Sequence, residues 1–176
     1  MTVADPAALP TTGTWQIDTV HSYASFKVTH HLVATFRAGF HSLRGALEDG
    51  VLFGSVPVEN VDLGGVAVFK EHLLGPDWFD AAAHPELSFT SSDLQIGDDG
   101  SIRAAGELTI KGITRPVRIT GSARGPAEVK RNDGSTSIRG GLDLAATVDR
   151  RDFGLNSTSG TDWTVTLEVA LELVKS

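Results

Sequence analysis

The chain has no cysteine, one methionine and only 7% aromatic residues among its 176 residues. Without cysteine, disulfide bonds, thiolate nucleophiles and cysteine-ligated metals are excluded, and the composition fits a reducing compartment. No apolar run approaches the roughly 20 residues of a membrane-spanning helix, so we expect no membrane span. Basic residues are scarce, at 15 against 22 acidic ones. This balance argues against nucleic acid as a partner, because phosphate binding needs a basic patch.

The length of the chain predicts one domain. Residues 1–12 are rich in alanine, proline and threonine, which predicts a flexible N-terminal tail before a β-barrel domain over residues 13–176. The first residues have neither the basic start nor the apolar run of a secretory signal. We therefore expect a soluble, cytoplasmic protein.

Apolar and polar residues alternate along most of the chain, most clearly after residue 100. A period of two with one polar face is typical of antiparallel strands that pack on one side. Asp-Gly pairs at 49–50, 99–100 and 133–134 predict the turns between them. We expect about eight main strands, a short first strand near Trp15, and a bulge or an edge at Pro57. Closure into an all-β, eight-stranded barrel would leave no exposed edges.

One segment has helical rather than alternating spacing. Val66, Phe69, Leu73 and Leu74 predict a helix over 66–75, inserted between strands four and five. A second short helical turn is predicted around Trp78–Phe79. This insertion could plug one end of the barrel or gate a ligand, and both interpretations remain open.

The predicted inner faces carry several small residues, which leave volume inside a barrel unless aromatic side chains fill it. They are Ala104, Gly106, Gly121, Ala123, Gly140 and Ala146. A tall, narrow and apolar cavity would suit a long lipid chain better than a compact polar metabolite. A barrel packed shut by aromatic residues is the competing interpretation.

Five segments, in order, resemble the YceI-like family, and the resemblance covers most of residues 14–174. The most specific of them is the run Gly106–Val117. The others are Trp15–Asp18 with His21–Ser22, His30–Val33 with Phe36, Gly39, Phe40 and Gly45, Glu71–Leu73 with Asp77–Asp80, His84–Pro85 and Phe89, and Arg151–Gly154.

This resemblance implies an antiparallel, lipocalin-like barrel that binds a polyisoprenoid or a similar long amphiphile in its interior. Combined with the alternation, it predicts a mostly apolar set of ligand-binding residues on the inner face. They are Phe26, Val28, His30, Phe40, Phe79, Phe89, Leu108, Phe153, Trp163 and Leu167.

The histidines do not predict a metal site. His30 and His31 are adjacent and would point to opposite faces of a strand, and His21, His72 and His84 lack a carboxylate or histidine at ligand spacing. Local hydrogen bonding explains them better, although His30 could also contact the polar end of a ligand.

The Asp152–Phe153–Gly154 segment predicts a structural corner, in which Asp152 pairs with Arg150 or Arg151 and Gly154 takes an unusual φ. No nucleophile–base pair is evident in the sequence. We expect no catalytic residue, no metal and no cofactor.

We therefore expect a non-enzymatic barrel that stores, transports or sequesters an isoprenoid or prenyl-quinone-type lipid. One alternative is an enzyme or accessory factor of isoprenoid or quinone metabolism that uses His30 or Asp152. Another is a stress-associated interaction domain with a filled barrel and no ligand. The exposed strand faces also leave open a homodimer.

Overall fold

The computed structural model describes residues 9–64, 67–158 and 160–176. These residues form eleven strands, one α-helix and two 3₁₀ turns. The strands are β1 (Thr14–Ile17), β2 (Tyr23–His30), β3 (Ala34–Phe40), β4 (Arg44–Glu48), β5 (Val51–Pro57), β6 (Val61–Asp62), β7 (Glu86–Ile96), β8 (Ser101–Ile110), β9 (Ile113–Lys130), β10 (Thr136–Asp149) and β11 (Thr161–Lys175). The helix is α1 (Ala67–Leu74), and the 3₁₀ turns are η1 (Val58–Asn60) and η2 (Arg150–Phe153).

Eight strands form a closed antiparallel ring in the order β1–β4–β5–β7–β8–β9–β10–β11, because β1 pairs with both β4 and β11. The remaining strands continue this ring along its length. β2 pairs with β11 beyond the end of β1, β3 pairs with β2, and β6 pairs with β3. The predicted closed barrel of eight strand paths is confirmed, with bends that divide three of the paths into two segments each.

The two ends of the barrel differ. We call the end that carries the β2–β3 and β8–β9 turns the upper end, and the end that carries the β4–β5 and β7–β8 turns the lower end. The helix was predicted between strands four and five, and α1 lies between β6 and β7. The difference arises because the bends divide strand paths and so add strands before the helix. Pro57 ends β5 and precedes the η1 turn, where the sequence predicted a bulge or an edge. Among the described residues no helix has the length and apolar character needed to cross a bilayer.

The lower end is tightly packed. Trp15, Leu47 and Leu173 are fully buried there, on neighbouring strands β1, β4 and β11. Asp49 and Gly50 close the β4–β5 hairpin with φ of 45° and 87°, the positive values that a tight primed turn requires. The lower end of the barrel is therefore closed by packed core residues.

The N-terminal segment differs from its prediction. Residues 1–8 lie outside the described residues, but Leu9 has only 2% of its surface exposed and belongs to the hydrophobic core. Its side chain occupies the space that a Cβ at Gly140 would need. The backbone carbonyl of Thr11 also accepts a hydrogen bond from Gly50 N–H at 2.8 Å. Residues 9–12 thus belong to the domain, because Leu9 fills the gap left by a glycine in β10.

The helical insertion also differs in part. Helix α1 confirms the predicted helical spacing, and Leu73 is buried. Phe69, however, is 60% exposed, so it does not line or fill the barrel. Val66 lies outside the described residues. The helix is short, and among its described side chains the buried one, Leu73, lies at the C-terminal end, so Phe69 points away from the core.

Leu9→Ala tests whether the N-terminal segment is part of the core. Removing a fully buried leucine leaves a cavity, so the free energy of unfolding should fall by about 3 kcal/mol. Urea denaturation measures this change. Thr12→Ala, at an exposed position of the same segment, should change it by less than about 0.5 kcal/mol. Equal effects of the two substitutions would contradict the role of Leu9.

Candidate functional site

An apolar cavity of about 170 Å³ lies inside the barrel, above the packed lower end. Strands from around the whole ring contribute to its wall. Its main apolar side chains are Ile17, Ala24, Phe26, Phe40, Leu43, Leu52, Phe53, Val56, Leu87, Phe89, Leu108, Ile110, Val117, Ile119, Leu144, Ala146, Leu167, Val169 and Leu171. The wall offers an apolar chain dispersion contacts and almost no hydrogen-bonding groups.

Five of the ten predicted ligand-binding residues line this cavity: Phe26, Phe40, Phe89, Leu108 and Leu167. The other five do not line it. Val28, Phe79 and Phe153 are buried, while His30 and Trp163 are half-buried. The strand alternation located the residues near the middle of the barrel. It did not show that those near the upper end are covered by other side chains.

The predicted inner glycines leave less volume than the sequence suggests. A Cβ at Gly106 would lie 2.6 Å from the ring of Phe89, so this aromatic ring already uses the space opposite the glycine. Leu9 uses the space at Gly140 in the same way. Ala146, by contrast, does line the cavity. Part of the predicted interior volume is therefore filled from neighbouring strands.

A cluster of four phenylalanines lies beside and above the cavity. The ring centroid of Phe26 lies 6.1 Å from those of Phe36 and Phe40 and 6.3 Å from that of Phe79. Phe40 and Phe79 approach edge to face at 5.9 Å. Offset and edge contacts of this kind stabilise aromatic pairs. Through Phe79, the segment that follows α1 covers the upper end of the cavity.

Trp78, the neighbour of Phe79, is held by two polar contacts. Its indole N–H donates a hydrogen bond to Nε2 of His72 at 2.9 Å, which confirms the predicted local hydrogen bonding of this histidine. On its other side the guanidinium of Arg150 lies 5.3 Å from the Trp78 ring. These contacts join the insertion to the η2 corner.

Arg150 is the central residue of that corner and has only 3% of its surface exposed. Its guanidinium donates to the backbone carbonyls of Asp162, Leu155, Ser157 and Thr161. It also lies 4.2 Å from the ring centroid of Trp163. Burial lowers the pKa of Arg150. No carboxylate of the described residues forms an ion pair with it, and the carbonyls and the two indole faces compensate its charge instead.

The predicted pairing of Asp152 is wrong. The partner of Arg151 is Asp149, at 2.5 Å, and Arg150 bonds carbonyls instead of a carboxylate. Asp149 also accepts a hydrogen bond from the backbone N–H of Arg151, as the residue before a helical turn commonly does. Gly154 has φ of 72°, so the unusual φ predicted there is confirmed.

The histidines are placed by local packing. His31 lies in the β2–β3 turn rather than on a strand, and its ring centroid is 4.1 Å from that of His30; the predicted opposite orientation is wrong because the turn bends the chain. His84 covers Gly112. Nδ1 of His21 lies 3.1 Å from a carboxylate oxygen of Asp18, a contact that the sequence analysis missed.

His21 belongs to the one acidic cluster with metal-like spacing within the described residues, formed with Asp18 and Glu172. Arg139 already lies between the two carboxylates, and its Nη1 contacts both. Burial opposes ionisation of Asp18, but hydrogen bonds from His21 and Val20 outweigh it and lower its pKa from 3.8 to about 2. The cluster is thus a salt bridge beside the lower end.

The enzymatic alternative would use His30 or Asp152. The His30 side chain contacts the His31 ring and the exposed Asp152 lies on η2, and no described group forms a hydrogen bond or an ion pair with either side chain.

The geometry defines a class of protein: a closed, lipocalin-like antiparallel barrel with an apolar interior cavity. The particular family follows from comparison with known proteins. The YceI-like domain model matches residues 15–174, and the chain belongs to this family. The family and barrel predicted from the sequence motifs are confirmed.

Relatives with similar sequences are distant. A UPF0312 protein of Pseudomonas savastanoi is 24% identical over 161 residues, which cover 88% of this chain and 82% of the relative. A UPF0312 protein of Pseudomonas putida is 22% identical over the same coverage.

Two solved structures share the fold. BcnA of Burkholderia cenocepacia superposes with a TM-score of 0.73 at 19% identity, covering 89% of this chain and 98% of BcnA. A polyisoprenoid-binding domain from Saccharophagus degradans, implicated in plant cell wall breakdown, gives 0.71 at 14% identity, covering 92% and 98%.

The low pKa of Asp18 predicts a specific acid sensitivity. In the unfolded chain Asp18 takes up its proton near pH 4, whereas the folded protein resists until about pH 2, so stability falls as the pH drops through this window. The loss should be about 2 kcal/mol. Urea denaturation from pH 6 to pH 2 should show a flatter pH dependence in Asp18→Asn. Asp152→Asn, at an exposed carboxylate, should keep the wild-type slope, and a wild-type slope in Asp18→Asn would contradict the assignment.

Arg150→Met tests the corner. The substitution keeps much of the volume but leaves four carbonyls without their donor, so the free energy of unfolding should fall by about 3 kcal/mol. Arg151→Met is the matched control, since an exposed ion pair contributes little to stability and the loss should be clearly smaller. Thermal and urea unfolding measure both. Similar losses of stability in the two variants would contradict the stabilising role of the carbonyl contacts of Arg150.

Proposed function

We propose that the barrel binds the apolar chain of an isoprenoid or prenyl-quinone-type lipid and serves in its storage, transport or sequestration, without catalysis. The observation that carries this proposal is the cavity inside the barrel, whose wall is almost entirely aliphatic and aromatic. A chain without polar groups gives up no hydrogen bonds to water when it enters such a site. It gains roughly 0.8 kcal/mol for each methylene group removed from water, before the costs of binding.

Membership of the YceI-like family supports this proposal, as does the similarity in fold to a domain described as polyisoprenoid-binding. Five of the ten residues predicted from the sequence line the cavity, and we propose that these five contact the lipid chain: Phe26, Phe40, Phe89, Leu108 and Leu167.

The volume of the cavity limits what can bind without rearrangement. A cavity of about 150 Å³ accommodates one benzene molecule, and the space here is similar, at about 170 Å³. A prenyl chain of several units therefore requires the phenylalanine cluster to move. Phe79 is the side chain best placed to do so, since it belongs to a connecting segment rather than to a strand. In this proposal the insertion is a movable cover, and the cavity enlarges when it shifts.

Native mass spectrometry with added geranylgeraniol, followed by organic extraction of the purified protein, tests lipid binding. We expect a one-to-one adduct, and we expect Phe79→Ala to change its association and dissociation rates by about tenfold, because this side chain no longer has to move to make room for the chain. The same substitution should cost about 3 kcal/mol of stability.

Phe69→Ala is the matched control, because that phenylalanine is exposed on α1 and should alter neither rates nor stability. Unchanged rates with a large loss of stability in Phe79→Ala would show that Phe79 is a plug. A protein that carries no lipid and takes up no prenyl alcohol would overturn the proposed function.

A further inference from the structure

The barrel wall is not paired along its whole height. The β9–β10 ladder runs from Lys130 and Thr136 at the lower end to Thr120 and Ala145. Both strands then continue toward the upper end, β9 to Ile113 and β10 to Asp149. Residues 113–119 pair only with β8, and residues 146–149 pair only with β11. The wall therefore has a split between these two stretches.

The split lies beside the cavity. Val117 and Ile119 on one edge and Ala146 on the other all line it. Above them the η2 corner closes the top of the split, where a Cβ at Gly154 would lie 3.2 Å from the Ile113 side chain. The split is thus a lateral window next to an apolar space, with apolar side chains on both edges.

An arginine lies on the cavity side of β9 at this window. The register places Arg115 directly opposite Leu108, which lines the cavity. On β9 it is two residues from Val117 and therefore on the same face. Inner-face positions of this barrel are otherwise apolar or small along β8 and β9, yet Arg115 is exposed. Its side chain therefore reaches solvent from an inner-face position.

The charge of Arg115 is available to a ligand. Its one hydrogen bond within the described residues goes to the carbonyl of its neighbour Thr114, at 3.0 Å. No described carboxylate lies within ion-pair distance of its guanidinium, in contrast to Arg124, Arg139 and Arg151. Arg118, exposed on the outer face of the same unpaired stretch, adds a second positive charge nearby.

We propose that the split between β9 and β10 is the portal of the cavity and that Arg115 binds the anionic head group of an amphiphile whose chain lies inside. This inference rests on the proposed function and specifies its ligand: an apolar chain with a phosphate or carboxylate head. A guanidinium binds either anion through paired, charge-assisted hydrogen bonds.

Isothermal titration calorimetry with head-group pairs tests this proposal. Farnesyl phosphate is compared with farnesol, and palmitate with palmityl alcohol, so that chain and head vary separately and the two anions are distinguished. The wild-type protein should bind at least one anionic member about tenfold more tightly than its alcohol, as expected for one charge-assisted contact. Arg115→Ala should abolish that preference while leaving the affinity for the alcohol unchanged, and Arg115→Lys should restore part of it.

Arg103→Ala is the matched control. Arg103 is also exposed, but it lies on the outer face of β8, outside the cavity wall, so the preference should persist. Loss of the preference in Arg103→Ala alone would overturn the assignment to Arg115. Equal affinity of wild-type protein for acids and alcohols would overturn the head-group site and leave lipid binding intact. Binding of none of the four compounds would instead remove the proposed function itself.

The portal has a separate test that uses the absence of native cysteine. Ala145→Cys, at the last paired position beside the split, is labelled with a bulky maleimide. Uptake of farnesol should slow about tenfold. Ala105→Cys, which faces outward between paired strands β7 and β9, should show the wild-type rate when labelled. Equal uptake rates in the two labelled proteins would exclude the split as the portal.

Discussion

The buried guanidinium of Arg150 is the interaction on which the upper end of the barrel depends. An arginine cannot give up its charge, so a position with 3% exposure is stable only if acceptors surround it. Four backbone carbonyls of the chain between Leu155 and Asp162 supply them. These bonds hold Leu155, Ser157 and the first residues of β11 around one guanidinium, and Trp78 and Trp163 lie against the same cation.

This anchoring also shapes the wall of the barrel. After Asp149 the chain leaves the sheet and turns into η2, whose Gly154 packs against Ile113 of β9. The corner therefore lies at the top of the β9–β10 split, where the ladder would otherwise continue. Closure of a barrel normally removes unpaired strand edges, but here residues 113–119 of β9 remain a short edge that β10 does not pair with. Pro116 lies within the unpaired stretch of β9, and a proline there offers no N–H with which an added strand could pair.

Much of the fold could be predicted from the sequence because alternation records which face of a strand is buried, and Asp-Gly pairs record where hairpins turn. The interior could not be predicted in the same way. Gly106 indicates space, but the ring of Phe89 occupies it from the next strand, and Leu9 does the same at Gly140. Cavity volume depends on side chains from several strands at once, whereas periodicity describes one strand at a time.

The contacts of polar side chains were harder still to predict from the sequence, since their partners are distant in sequence or are backbone groups. Arg139 meets Asp18 across 121 positions, and the carbonyls that hold Arg150 carry no side-chain signal. The sequence does contain one signal for the unpaired stretch of β9. A proline inside a long alternating run is tolerated at an edge rather than in a central strand, so Pro116 indicated that β9 lacks a partner along part of its length.

The two ends of the barrel contribute differently. The lower end holds the fully buried Trp15, Leu47 and Leu173 and the Arg139 salt bridges. The phenylalanine cluster and the split lie toward the upper end, where part of the wall lacks ladder hydrogen bonds between β9 and β10. Apolar burial is not directional, so a smooth cavity alone would let a chain slide along its axis. A single cation at the edge of the wall would define which end of the chain faces solvent, and a protein with a net charge of −7 repels anions elsewhere on its surface. Orientation of an amphiphile would then depend on one arginine in the one stretch of β9 that β10 does not cover.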